Sequence, residues 1–152
     1  MTAALQIKYL WHDVDVYKVR VAASNGNFSG GADVFLSIGG IAEAASALKG
    51  FPVNPSDSRE LQFGAFGNGL AGGSVRLRLC CKDGAGHAVL EVRVKSEHGS
   101  ETNAQWSRPE QTAHFFADVE PRAVDRFVAE LLEFEKHKAG TASLRFANSL
   151  IR

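Results

Sequence analysis

Between residues 75 and 95, apolar side chains occupy every second position of two segments joined by a polar turn. Val75, Leu77, Leu79 and Cys81 alternate with Arg76, Arg78, Cys80 and Lys82. After a Lys-Asp-Gly-Ala-Gly-His turn, Leu90, Val92 and Val94 alternate with Glu91, Arg93 and Lys95. Successive side chains of a strand point to opposite faces, so this period predicts a β-hairpin with one dry and one wet face. Such a hairpin belongs at the centre of an antiparallel sheet whose dry face other elements must cover.

The same period runs through much of the chain. Leu5, Ile7, Tyr9 and Trp11 predict a first strand within residues 1–13. Residues 13–23 predict a second, with Tyr17, Val19 and Val21 opposite Lys18 and Arg20. Asn25-Gly26 tolerates the positive φ angles of a tight turn, so the chain should reverse there. Phe28, Ala32, Val34, Leu36 and Ile38 then predict a third strand, and Gly30-Gly31 inside it marks a bulge or a close backbone approach. After Gly39-Gly40 the period lengthens. Ile41, Ala44, Ala45 and Leu48 predict a short helix that Gly50 and Pro52 end.

Residues 60–66 predict a short strand, followed by a Gly-rich connection. Residues 96–111 are polar and aperiodic, with Trp106 alone among them, and predict a long, protease-sensitive loop. Thr112 to Val119 alternates again, with Ala113, Phe115, Ala117 and Val119 opposite His114 and Asp118. Pro121 opens a second helix where its missing N–H costs nothing. Its predicted apolar stripe is Ala123, Val124, Phe127, Val128, Leu131 and Leu132, and it should end near Lys138 to Gly140. Residues 141–147 predict a last short strand or a packed tail; the role of 138–152 stays open. No internal repeat is evident. The expectation is one α+β domain over residues 1–152: a largely antiparallel sheet of about six or seven strands with two helices on one face.

Composition adds bounds. The 152 residues are 45% hydrophobic and 22% charged, with 17 basic and 17 acidic side chains, giving net charge zero with His neutral. Such a chain can bury a core unaided and has no global attraction for nucleic acid or an anionic membrane. The only cysteines, Cys80 and Cys81, are adjacent, and a vicinal disulfide is strained, so free thiols are expected. With no apolar run long enough to span a bilayer and no signal-peptide pattern, the expected location is the cytoplasm, with no membrane partner.

Motifs for chemistry fail on context. Gly67-Asn68-Gly69-Leu70-Ala71-Gly72 matches G-x-G-x-x-G, but a strand follows the glycines where a phosphate site needs a helix N-terminus. His12, His87, His98, His114 and His137 form no H-x-x-x-H or H-E-x-x-H pair. His12-Asp13 could be a base with its orienter, and Asp13 and Asp15 share one side of a strand; both patterns are commonplace on solvated surfaces. No Ser or Cys has a nucleophile's context. The expectation is a non-enzyme without metal or cofactor. The remaining feature is a basic sheet face of Lys18, Arg20, Arg76, Arg78, Arg93 and Lys95, shared with Glu91. It is either a solvated face of weak ion pairs or a surface complementary to an acidic protein. It lacks the aromatic platform of a nucleic-acid site.

Several segments together resemble a known family. They are Asn-Phe-Ser-Gly-Gly (27–31), ALKGFP (47–52), ELQF (60–63), the VRLRL–GHAVLEVRV hairpin, FFADVE (115–120) and the closing amphipathic helix. Over about residues 14–136 the chain resembles the small bacterial family of the wall-associated toxin's immunity protein and its uncharacterised relatives. The resemblance implies a cytoplasmic protein that binds and blocks a cognate toxin domain without catalysis, with Arg76, Arg78 and Arg93 as candidate partner-binding residues. The alternatives are a small-ligand-binding domain or enzyme with a pocket between sheet and helices, and a homodimer or interaction module without a toxin.

Overall fold

The computed structural model describes residues 3–64, 72–96 and 111–147. Eight strands and two helices follow in the order β1 (Ala4–His12), β2 (Val16–Ser24), β3 (Ser29–Ser37), α1 (Gly40–Leu48), β4 (Ser58–Gly64), β5 (Ser74–Cys81), β6 (Ala88–Lys95), β7 (Thr112–Val119), α2 (Pro121–His137) and β8 (Thr141–Arg145). The strands form two antiparallel four-stranded sheets, β3-β2-β1-β8 and β4-β5-β6-β7. The single sheet expected from the alternation is therefore corrected to two. Alternation reports which face of a strand is dry, and it reads the same whichever strand lies alongside.

The order conceals a repeat of architecture. Each half of the chain runs strand, strand, strand, helix, strand, and its first three strands form a meander. The fourth strand crosses to the other half: β8 pairs with β1 (Gln6 opposite Ser143), and β4 pairs with β5 (Leu61 opposite Leu77). Neither sheet is complete without a strand from the other half. The 138–152 segment thus supplies the outer strand of the first sheet through residue 145, and residues 148–152 lie outside the described part.

Local chemistry explains the element ends. At the β2–β3 turn, the Asn25 side chain accepts from the N–H groups of Asn27 and Phe28, and Gly26 takes a φ of 97°. Phe28 belongs to this exposed turn, not to the strand. β2 and β3 pair without a bulge, so the glycines there serve close approach. A Cβ on Gly30 would stand 2.9 Å from that of Ala113. β3 runs across one end of the second sheet: Gly30 lies against Val94 and Ala113, Asp33 O accepts from Gly73 N–H, and Phe35 meets Gly72. α2 opens at Pro121 and closes with Lys138 in the left-handed region, its N–H bonded to Phe134 O.

Buried side chains from both sheets and both helices form one cluster. Leu77, Leu79, Leu90 and Val92 are buried and Arg76, Arg78 and Arg93 exposed, as the hairpin pattern predicts. Lys95 departs from the hairpin pattern by being buried, and two positions elsewhere depart from their predicted faces. The β1–β2 register slips between Tyr9 and Trp11, so Trp11 pairs with Lys18 and turns to the outer face, where it stacks edge-on to Phe35. On α2, Leu132 is exposed and Phe134 takes the core position. Replacing Leu79 with Ala should cost about 2–5 kcal/mol in urea denaturation, the range for emptying a buried Leu site. A loss under about 0.5 kcal/mol would contradict its placement.

Glu135 ties the two halves together. Its carboxylate accepts from the Tyr17 hydroxyl on β2 and, at 3.0 Å, from Ala42 N–H in the first turn of α1. Tyr17 is fully buried, and burial followed by the bond to Glu135 pushes its phenol well above the usual range.

Candidate functional site

The outer face of the second sheet carries the densest set of charged groups that the fold brings together. Alternation sends Glu60 and Gln62 of β4, Arg76 and Arg78 of β5, Glu91 and Arg93 of β6, and His114 and Phe116 of β7 to this face. Register orders them in two rows: Glu60, Arg78, Glu91 and Phe116 in one, Gln62, Arg76, Arg93 and His114 in the other.

Glu91 is the hub. Its Oε1 accepts from Arg78 Nε at 3.0 Å, its Oε2 pairs with His114 Nε2 at 2.7 Å, and Arg93 Nε stands 3.7 Å from Oε2. A carboxylate can only accept, so His114 Nε2 carries the proton. The bond from His114, then that from Arg78, hold the Glu91 carboxyl below the usual carboxylate range against the opposing effect of burial. Only 17% of the Glu91 side chain is exposed, against 52% for Arg78 and 51% for Arg93. The acid is sunk and the guanidinium groups stand proud of it. Arg76 donates to Gln62 Oε1 at 3.3 Å. Between these groups lies a cleft of about 270 Å³ lined by Glu60, Arg76, Arg78, Glu91 and Arg93.

The flank of this face is apolar. Phe116 is exposed, with the His114 ring 5.3 Å from its own. Asn25 Nδ2 donates to Phe116 O at 2.8 Å, which brings the turn carrying exposed Phe28 to the same edge.

The six-residue basic face anticipated from alternation divides between the two sheets. Arg76, Arg78 and Arg93 come together as expected. Lys18 and Arg20 lie on the outer face of the first sheet, where Arg20 Nη1 donates to Asp33 Oδ1 at 3.0 Å and Lys18 sits over the Phe35 ring. Lys95 is buried. Glu60, His114 and Phe116 join the site instead. His114 was legible as outward-facing, but its approach to Glu91 depends on the β6–β7 register, which no local pattern carries.

The other candidates resolve into structural roles. Asp13 Oδ1 accepts from the N–H groups of Asp15 and Val16, holding the β1–β2 turn and keeping the carboxyl below its usual range. His12 bonds the Tyr9 hydroxyl through Nδ1, so Asp13 does not orient its ring. His87 pairs with Asp83 across the β5–β6 turn. Cys80 and Cys81 are free thiols, and Cys81 Sγ points at Asn54 O. The Gly-rich string through residue 71, and 97–110 with Trp106 and His98, lie outside the described residues. Among the described residues, no group of three or more His, Cys, Asp or Glu side chains could hold a metal ion, and no helix is long and apolar enough to cross a membrane.

A shallow hollow of about 450 Å³ on the first sheet is larger, but backbone, Ala, Gly and Ser make up most of its lining. Its one charged group, Arg20, is already bonded to Asp33. No family model, curated protein or solved structure matches the chain.

Proposed function

We propose that the protein binds a partner protein without turnover, through the outer face of β4–β7, and that the partner presents carboxylates to Arg76, Arg78 and Arg93. One observation carries this reading. Arg76 and Arg93 stand directly opposite each other on neighbouring central strands. Like charges at such positions oppose folding; the sunken Glu91 pairs with Arg78 and lies 3.7 Å from Arg93, and Glu60, directly opposite Arg78, is the other acid lining the cleft. An anionic partner converts that cost into affinity. Arginine suits the task because its planar fork engages a carboxylate at two points and sheds water more readily than lysine. Arg78 bonds Glu91 through Nε while about half of its side chain, 52%, stays exposed to a partner. Exposed Phe116 and Phe28 at the flank add the aromatic area found in protein interfaces.

The segments resembling the toxin-immunity family support a toxin domain as that partner, blocked by surface complementarity. The test is co-expression with a toxin domain encoded beside the gene, comparing wild type with the Arg76→Ala, Arg78→Ala, Arg93→Ala triple variant. Truncating a central interface arginine should weaken binding by about 2 kcal/mol or more, so the folded triple variant should no longer protect. A solvated face would lose almost nothing. Full protection by a folded triple variant would clear this face of the role.

A further inference from the structure

Three of the four edge strands take at least one outward backbone bond from elsewhere in the chain. On β3, Asp33 O accepts from Gly73 N–H at 2.9 Å. On β7, Phe116 O and Asp118 O accept from Asn25 Nδ2 and Ala147 N–H, each at 2.8 Å. On β8, Ser143 N–H donates to Glu130 Oε1 of α2 at 2.8 Å. The fourth edge is β4, the counterpart of β8 in the other half. Its covering helix is much shorter, since α1 has 9 residues where α2 has 17. On the outer side of β4, Gly64 O accepts from the strand's own Gln62 Nε2 at 3.2 Å, and among the described residues no backbone group elsewhere bonds that side.

Which groups face outward follows from the ladder. The carbonyls of Phe116 and Asp118 point away from β6, so Phe115 and Ala117 bond inward to Val92 and Leu90. Carrying the alternation across β6 and β5 leaves Arg59, Leu61 and Phe63 bonded to β5. Glu60 and Gln62 therefore present N–H and C=O to the open side. An open strand edge is a template for another strand.

We infer that β4 pairs antiparallel with β4 of a second copy, about a two-fold axis at Leu61, joining two sheets into one. The seam does not require the arginine face to bind a partner, but it shares Arg76 with that face. In this register Glu60 of each copy meets Gln62 of the other as a hydrogen-bonded pair, each pair exchanging both N–H···O bonds. Charge selects it over its neighbour. A slip to Glu60 opposite Glu60 would set two carboxylates together, whereas the axis at Leu61 brings each Glu60 to the Gln62–Arg76 row of its partner. A cleft of about 400 Å³ lined by Glu60, Leu61, Gln62 and Arg76 opens there to receive it. The interface is isologous and closes at two copies.

Sedimentation equilibrium of the full chain tests this. One short strand makes a small interface, so wild type should pass from monomer to dimer between about 10 µM and 1 mM. Gln62→Pro removes an N–H that the β4–β5 ladder does not use, so it should keep the wild-type circular dichroism and stay monomeric. Glu60→Lys sets a cation beside the partner's Arg76 and should weaken the dimer at least about tenfold. It carries the test if the proline variant fails to fold. A wild type that stays monomeric at about 1 mM overturns the dimer and leaves the edge to another protein's extended segment. A folded Gln62→Pro, or a Glu60→Lys, that dimerises as tightly as wild type overturns β4 as the seam.

Discussion

Replacing Phe127 with Ala is expected to remove about 3–5 kcal/mol of stability, the most of any single truncation considered for this chain. Phe127 is fully buried on α2, where Leu48 of α1, Leu61, Leu77, Leu79 and Leu90 of the second sheet and Leu144 of β8 converge around a void of only about 10 Å³. The cost of emptying such a site depends on whether its walls can collapse. Here they belong to both helices and both sheets, and moving any one of them breaks contacts elsewhere, so the result should fall in the upper part of the range. Urea denaturation should show a lower midpoint at unchanged slope. A loss below about 1 kcal/mol would mean that both helices and both sheets do not close around Phe127 as described.

Replacing Glu135 with Ala should cost about 2–4 kcal/mol, because it strands two donors at once. Tyr17 is buried beneath the carboxylate it bonds, and Ala42 N–H is one of the α1 donors without an intrahelical partner. Glu135→Gln keeps one good acceptor and should cost about half as much. Tyr17→Phe removes one donor and leaves the carboxylate its bond to Ala42, so about 1–2 kcal/mol is expected. The ordering of the three variants is the informative result. If Glu135→Ala costs under about 0.5 kcal/mol while Tyr17→Phe costs more, the link between α2 and α1 is not what holds these elements in place.

A β4-paired dimer would set two arginine faces on one continuous sheet, which suits either a two-fold partner or two partner molecules. An Arg78→Ala, Arg93→Ala double variant separates the arginine face from the β4 seam, since it keeps both the outward backbone groups of β4 and Arg76, whereas Gln62→Pro also removes the Gln62 Oε1 that accepts from Arg76.

What the amino-acid order determines by itself is local. Period two assigns a face to each residue of the central hairpin, so Leu79 inward and Arg78 outward were legible without any neighbour. Asn25-Gly26 and Pro121 mark their element ends through backbone chemistry that needs no tertiary context. Three things were settled only by the tertiary structure. The exchange of β4 and β8 between halves divides one expected sheet into two, because an alternating strand is equally dry on one side against any partner. The one-residue slip near Leu10 turns Trp11 outward, because a bulge shifts register without altering composition. The approach of His114 and Arg78 to Glu91, and the separation of Lys18, Arg20 and Lys95 from them, rest on pairings between residues far apart in the chain. Such pairings are chosen by the burial of whole faces, and the polar side chains on the reverse side are carried along with them.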